Sequence, residues 1–111
     1  MPGIQVTDCC QVTTTWPDQA TADRAAAVLV AERLAACAQV LGPLSSTYHW
    51  EGSTARSEEW YCHLKTTTER LASLEKRIRE LHPYQVPEVI ALPIVAGDEA
   101  YLAWIRAEVK T

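Results

Sequence analysis

Apolar residues along the chain recur with two periods, one near two and one near three and a half, and the changes of period mark out the elements. Val6 to Thr15 alternates loosely and is rich in valine and threonine, which predicts a first strand ended by Trp16-Pro17-Asp18. Asp18 is placed to cap a helix in which Ala22, Ala25, Ala26, Leu29, Val30 and Leu34 recur at three- and four-residue spacing, running to about Ala36. Ala38 to Leu41 and Leu44 to Trp50 read as a second strand interrupted at Gly42-Pro43, because proline cannot donate to a ladder and marks a bulge or an edge. A turn through Glu51-Gly52-Ser53-Thr54 reverses the chain. From Glu59 to Thr66 the side chains alternate, Trp60, Cys62 and Leu64 on one face and Tyr61, His63 and Lys65 on the other, which predicts a third strand. Leu71, Leu74, Ile78 and Leu81 form the stripe of a second helix that stops at His82-Pro83. Glu88 to Val95 is a β-branched strand whose Pro93 assigns it to an edge, and Asp98 opens a third helix with Leu102, Ile105 and Val109 on one face.

The resulting order, βαββαβ with an additional C-terminal helix, is that of an α+β, ferredoxin-like domain with helices on one face of an antiparallel sheet. The hairpin of the second and third strands is too long for such a core. The stretch from Ala38 to Trp50 extends to roughly 43 Å at ~3.3 Å per residue, against a radius of gyration of about 13 Å for a compact chain of this size. It should overhang, and with Tyr48, Trp50, Trp60 and Tyr61 near the projecting part another subunit is expected to cover it, the alternative being a hairpin folded back over its own helices.

Length and charge narrow the function. The chain has 111 residues, enough for one domain spanning 1–111, with 48% hydrophobic and 22% charged residues. A net charge of -4 and a pI near 5.3 argue against a nucleic-acid partner. No apolar run reaches the roughly 20 residues of a membrane span and the start MPGIQVTDCCQ lacks the pattern of a leader, so no membrane partner and a cytoplasmic location are expected. Cys9, Cys10, Cys37 and Cys62 show no Cys-x-x-Cys pairing and are expected to be reduced, structural thiols.

The densest run of chemistry-bearing residues is His82-Pro83-Tyr84-Gln85-Val86-Pro87-Glu88. Imidazole and carboxylate both ligate metals, and prolines brace such a loop, which makes His82 and Glu88 candidate metal ligands. A histidine at a helix C-terminus also serves simply to cap carbonyls. His49 and His63 are further potential donors, although solvated strand histidines are the commoner case. No phosphate loop, Gly-x-Ser-x-Gly elbow or His-Glu-x-x-His occurs, and no enzyme is expected. The chain has no asparagine for an acylphosphatase-type anion cradle, and no phenylalanine or basic excess for an RNA-recognition sheet.

Glu32-Arg33-Leu34-Ala35-Ala36-Cys37-Ala38, Tyr48-His49-Trp50-Glu51-Gly52, Leu64-Lys65-Thr66, HPYQVPEVIALPI from His82 to Ile94, and Tyr101-Leu102-Ala103-Trp104 together resemble the CutA divalent-cation-tolerance family from Pro17-Asp18 to Trp104. The resemblance implies a ferredoxin-like homotrimer with a role in divalent-cation tolerance, a divalent ion, copper foremost, as its ligand, and His82 and Glu88 as candidate ligands, with the segment leading into Pro17-Asp18 as a third contributor. Members of that family often carry a cysteine at the position of Thr14 or Trp16, which this chain lacks. Tyr48, Trp50, Lys65 and Tyr84 match family motifs and are candidates for an intersubunit cleft. The alternative to a metal-response protein is a trimeric regulatory or scaffold module that binds an unidentified small molecule or protein in that cleft.

Overall fold

The computed structural model describes residues 6–110, so the leader reading, which rests in part on residues 1–5, lies outside the described residues. The elements follow one another as β1 (Cys9–Trp16), α1 (Gln19–Ala31), β2 (Cys37–Trp50), β3 (Ser53–Thr67), a single 3-10 turn (Thr68–Arg70), α2 (Leu71–Leu81), β4 (Val89–Pro93) and α3 (Glu99–Glu108). The strands form one antiparallel sheet in the order β2-β3-β1-β4. Pro43 and Pro93 therefore both lie on outer strands, where the missing N–H costs least.

Alternation along β1 divides the core in two. Val12 and Trp16 point to one side, with Cys62 and Leu64 of β3, and pack under Ala22, Ala25 and Leu29 of α1 and Leu74 and Ile78 of α2. Cys9 points to the other, where Leu102, Ile105 and Val109 of α3 cover it together with Ala36. The helices are thus not all on one face, as the α+β reading had them: α3 closes one end of the opposite side. The rest of that side is bare. Thr13 stands opposite His63 and Ile90, and Gln11 opposite Lys65 and Leu92, with Leu41, Ile90 and Leu92 about half exposed at 51%, 48% and 50%.

Helix α1 ends at Ala31, five residues short of the expectation, for a reason the periodicity does not contain. Arg33 adopts φ 58°, its N–H bonding to the Val30 carbonyl at 3.0 Å while the Leu34 N–H bonds to the Leu29 carbonyl at 3.0 Å. This is the left-handed helix stop usually given to glycine. Here an arginine holds it, and its guanidinium donates to the Glu108 carbonyl (3.0 Å) and carboxylate (3.3 Å) at the end of α3. Leu34, Ala35 and Ala36 then turn inward and are buried.

Two other boundaries move. Strand β1 begins at Cys9 and not Val6, and β3 begins at Ser53, six residues ahead of the expected Glu59. The reversal takes only Glu51 and Gly52, with φ 49° and 80°, the signs a two-residue hairpin turn needs to match strand twist. Pairing runs from Trp50↔Ser53 down to Leu44↔Glu59, shifts at Gly42-Pro43, and resumes from Leu41↔Tyr61. Strand β1 pairs with β3 no further than Trp60, so the whole upper hairpin stands beyond the sheet. The radius of gyration is accordingly 15.1 Å, above the about 13 Å of a compact chain.

Candidate functional site

The projecting hairpin roofs a cleft of about 770 Å³. Leu44, Tyr48 and Trp50 of β2 line it with Glu59 and Tyr61 of β3, and the loop between α2 and β4 closes it with Tyr84, Val86 and Glu88. Leu44, Tyr48, Trp50, Glu59 and Tyr61 share a face by strand alternation, the same face that is bare lower in the sheet. Glu59 is only 6% exposed, and the Tyr84 hydroxyl donates to its Oε2 at 2.9 Å. Burial and this acceptor push the Tyr84 phenol well above its ordinary range. Partial desolvation, and next the neighbouring Glu59, push the Glu88 carboxyl upward.

Of the cleft residues expected from sequence, Tyr48, Trp50 and Tyr84 meet here, and Glu88 joins them. Lys65 does not. It lies toward the other end of β3, opposite Gln11 and Cys37, and its ammonium donates to Gln39 Oε1 at 2.8 Å. The residue that takes a central place is Glu59, which sequence reading passed over as the start of a strand. Its phase with Tyr61, one pleat away, was the available signal.

His82 sits behind this cleft, 8% exposed, at the end of α2. Its Nε2–H donates to the Thr15 carbonyl at 2.7 Å, and its Nδ1 accepts the Tyr84 N–H at 3.1 Å. The partners dictate the tautomer, because a carbonyl only accepts and an amide N–H only donates. The ring stacks on Trp16 at 4.1 Å between centroids. Burial lowers its pKa, against the opposing pull of the Thr15 carbonyl and Glu59. Both nitrogens are thus committed to the backbone and offer no free lone pair. Thr14 and Trp16, at the positions that carry cysteine in the resembling family, are fully buried.

The thiols are elsewhere. All four cysteines are free, Cys9, Cys10 and Cys62 are buried, and burial pushes the Cys62 thiol up to about 12. Cys37 opens β2 and touches the Tyr101 hydroxyl at 3.6 Å. His63 Nδ1 lies 3.0 Å from Thr13 Oγ1 and 3.3 Å from Gln11 Nε2, on the bare sheet face. Among the described residues, no three His, Cys, Asp or Glu side chains are grouped to hold a metal ion.

Fold and cleft together define a small ferredoxin-like protein with an aromatic, acidic recess under an overhanging hairpin. Residues 10–108 match the CutA1 divalent ion tolerance protein family. The chain is 44% identical to the divalent-cation tolerance protein CutA of Thermus thermophilus, over 83% of this chain and 89% of that one. The crystal structure of CutA from Xylella fastidiosa superposes with a TM-score of 0.91 at 36% identity, covering 94% of this chain and 100% of that one. The chain belongs to the CutA1 divalent ion tolerance family, which is not a family of known enzymes.

One expectation is overturned by a relative. The structure from Archaeoglobus fulgidus, with a TM-score of 0.89 at 30% identity over 92% of this chain and 99% of that one, is described as a periplasmic divalent cation tolerance protein CutA. The cytoplasmic assignment, drawn from the lack of an apolar leader, does not stand against that finding. No helix among the described residues is long and apolar enough to cross a membrane.

Proposed function

We propose that this chain serves divalent-cation tolerance as a homotrimer that engages the ion directly and weakly, copper before zinc, at the loop carrying His82 and Glu88. Family membership is the observation that carries the tolerance role. Assembly is supported by the hairpin that extends past β1 and by the half-exposed Leu41, Ile90 and Leu92 on the bare sheet face. The donor set suits an exchangeable ion and falls short of a tightly held one. Glu88 is exposed and has no basic partner among the described residues, whereas His82 reaches an ion only if Nδ1 gives up the Tyr84 N–H. Preference for Cu(II) over Zn(II) follows the usual affinity order for nitrogen and oxygen donors.

Calorimetric titration of Cu(II) and Zn(II) into protein sized by light scattering tests this reading. We expect a particle three times the 12.3 kDa protomer and Cu(II) affinity that drops by about tenfold in Glu88→Gln. Burial lowers the His82 pKa, so imidazole ligation weakens only as pH falls below about 6.5, and Glu88, whose carboxyl is pushed upward, lets go of an ion before an ordinary carboxylate would. A particle of 12.3 kDa, or Cu(II) affinity untouched by Glu88→Gln, refutes it. A second reading, favoured by the size and lining of the cleft, is a regulatory or scaffold module whose recess takes a small-molecule effector.

A further inference from the structure

Six of the fourteen carboxylates on this protein are matched by arginine. Asp8 and Glu99 meet Arg106, Glu32 and Glu80 meet Arg77, Glu75 meets Arg79, and Glu108 meets Arg33. Glu59 differs from the other unpaired carboxylates in its burial. It is the one carboxylate among the described residues that is more than nine-tenths buried, and no basic side chain pairs with it. Its Oε2 is held by the Tyr84 hydroxyl, and its Oε1 accepts no hydrogen bond among the described residues. Burying most of a carboxylate without a counter-charge is costly even where one oxygen still meets water, so the arrangement is favoured where a cation is supplied from outside.

The cleft says what kind. Glu88 adds a second carboxylate, and among the described residues no lysine, arginine or histidine lines the walls. A small divalent ion would find fewer than three side-chain donors of the usual kind, whereas hard divalent ions ask for six or more ligands or keep their water. Four aromatic side chains, Tyr48, Trp50, Tyr61 and Tyr84, share the lining with small hydroxyl residues and a few apolar ones. Aromatic faces attract cations of low charge density, which shed water cheaply, and a recess of about 770 Å³ falls within the ~300–1,000 Å³ of small-molecule sites.

We propose that the recess under the hairpin binds a small organic cation, an alkylammonium or guanidinium group, with Glu59 and Glu88 as counter-charges and Tyr48 and Trp50 as its aromatic walls. This rests on the effector-binding reading and shares Glu88 with the proposed ion site, so the probes are titrated in EDTA to keep the two apart. The charged head sits against Glu59, where Tyr84 fixes the carboxylate. An attached alkyl chain runs outward beneath Trp50.

Calorimetry on the native oligomer in EDTA, with n-butylamine, methylguanidine, n-butanol and n-butyrate as probes, tests the proposal. The expected result is uptake of both cations with dissociation constants at or below about 1 mM, and none of the alcohol or the acid. Glu59→Gln and, as a variant at an exposed site that leaves the fold intact, Glu88→Gln each weaken the cations by about tenfold. Trp50→Leu weakens them several-fold and Trp50→Tyr restores binding. Binding of alcohol or acid as tight as that of the amine overturns the choice of a cation while leaving an effector cleft in place. No uptake of any probe at about 10 mM overturns both, and is the result expected if a neighbouring copy fills the recess. Cation affinity unchanged in both carboxylate variants overturns the assignment of the counter-charges.

Discussion

Replacing His82 with alanine separates a structural imidazole from a metal ligand, because the two roles predict opposite dependence on added metal. The substitution strands the Thr15 carbonyl and the Tyr84 amide, which lose partners at 2.7 and 3.1 Å. Each costs about 1–3 kcal/mol if buried, and the lost stack on Trp16 adds about 0.5–1.5 kcal/mol. Tyr84 is partly exposed, so its amide recovers some of the loss from water. A destabilisation of about 3–4 kcal/mol is expected, a large share of the ~5–15 kcal/mol that holds a domain together. Urea denaturation in EDTA at fixed protomer concentration measures it through the midpoint.

The pH dependence gives a second readout. Burial lowers the His82 pKa, and protonating Nδ1 would also set its proton against the Tyr84 N–H. The unfolded state therefore binds the proton more readily, and the contribution of His82 is fully present above pH ~6.5 and lost as pH falls through the lowered folded value. The gap between wild type and His82→Ala should narrow on acidification. A loss below about 1 kcal/mol in EDTA, or a gap that widens toward pH 5, would refute the structural role. Loss of metal binding in this variant is then no evidence of ligation unless the fold is shown to survive.

A Cβ on Gly42 would fall 2.5 Å from Trp60 Cδ1 and 2.7 Å from Cγ, about 1 Å inside normal carbon contact, so Gly42→Ala should cost about 1–3 kcal/mol. Trp60→Leu in the same chain should remove much of that penalty, and strict additivity in a urea double-mutant cycle would contradict the clash. A charged thiol reagent should spare Cys9, Cys10 and Cys62 in the native protein, with Cys37 the first to react, since the other three are buried. Equal, rapid labelling of all four by mass spectrometry would show the core to be open.

Legibility followed the cause of each feature. The Asp18 and Asp98 caps and the stripe of α2 are local, and all three stand where the sequence puts them. The end of α1 is not local, because Arg33 takes its left-handed turn while tied to α3, seventy-five residues away in the chain. Ser53 to Glu58 hid their strand because no core lies beneath the overhang, so nothing imposed an apolar alternation. Around the recess within one chain, Tyr48, Trp50, Tyr84 and Glu88 lie together as residue types the sequence singles out, whereas Glu59 is brought there, and Lys65 placed away from it, by position along β3 and not by chemistry.

The sheet also has two unlike rims. Strand β2 forms one and β4 the other, and the rim-side backbone groups of both have no ladder partner among the described residues. Where one rim docks on the other, the contact runs head to tail, and such a contact closes into a ring or continues as a fibre according to the rotation between copies. Every junction in either array repeats the same chemistry. A single exchange on β2, a proline removed at position 43 for example, is therefore written into all junctions at once, and its energy is multiplied by their number, which makes the rims the most heavily leveraged positions in the sequence.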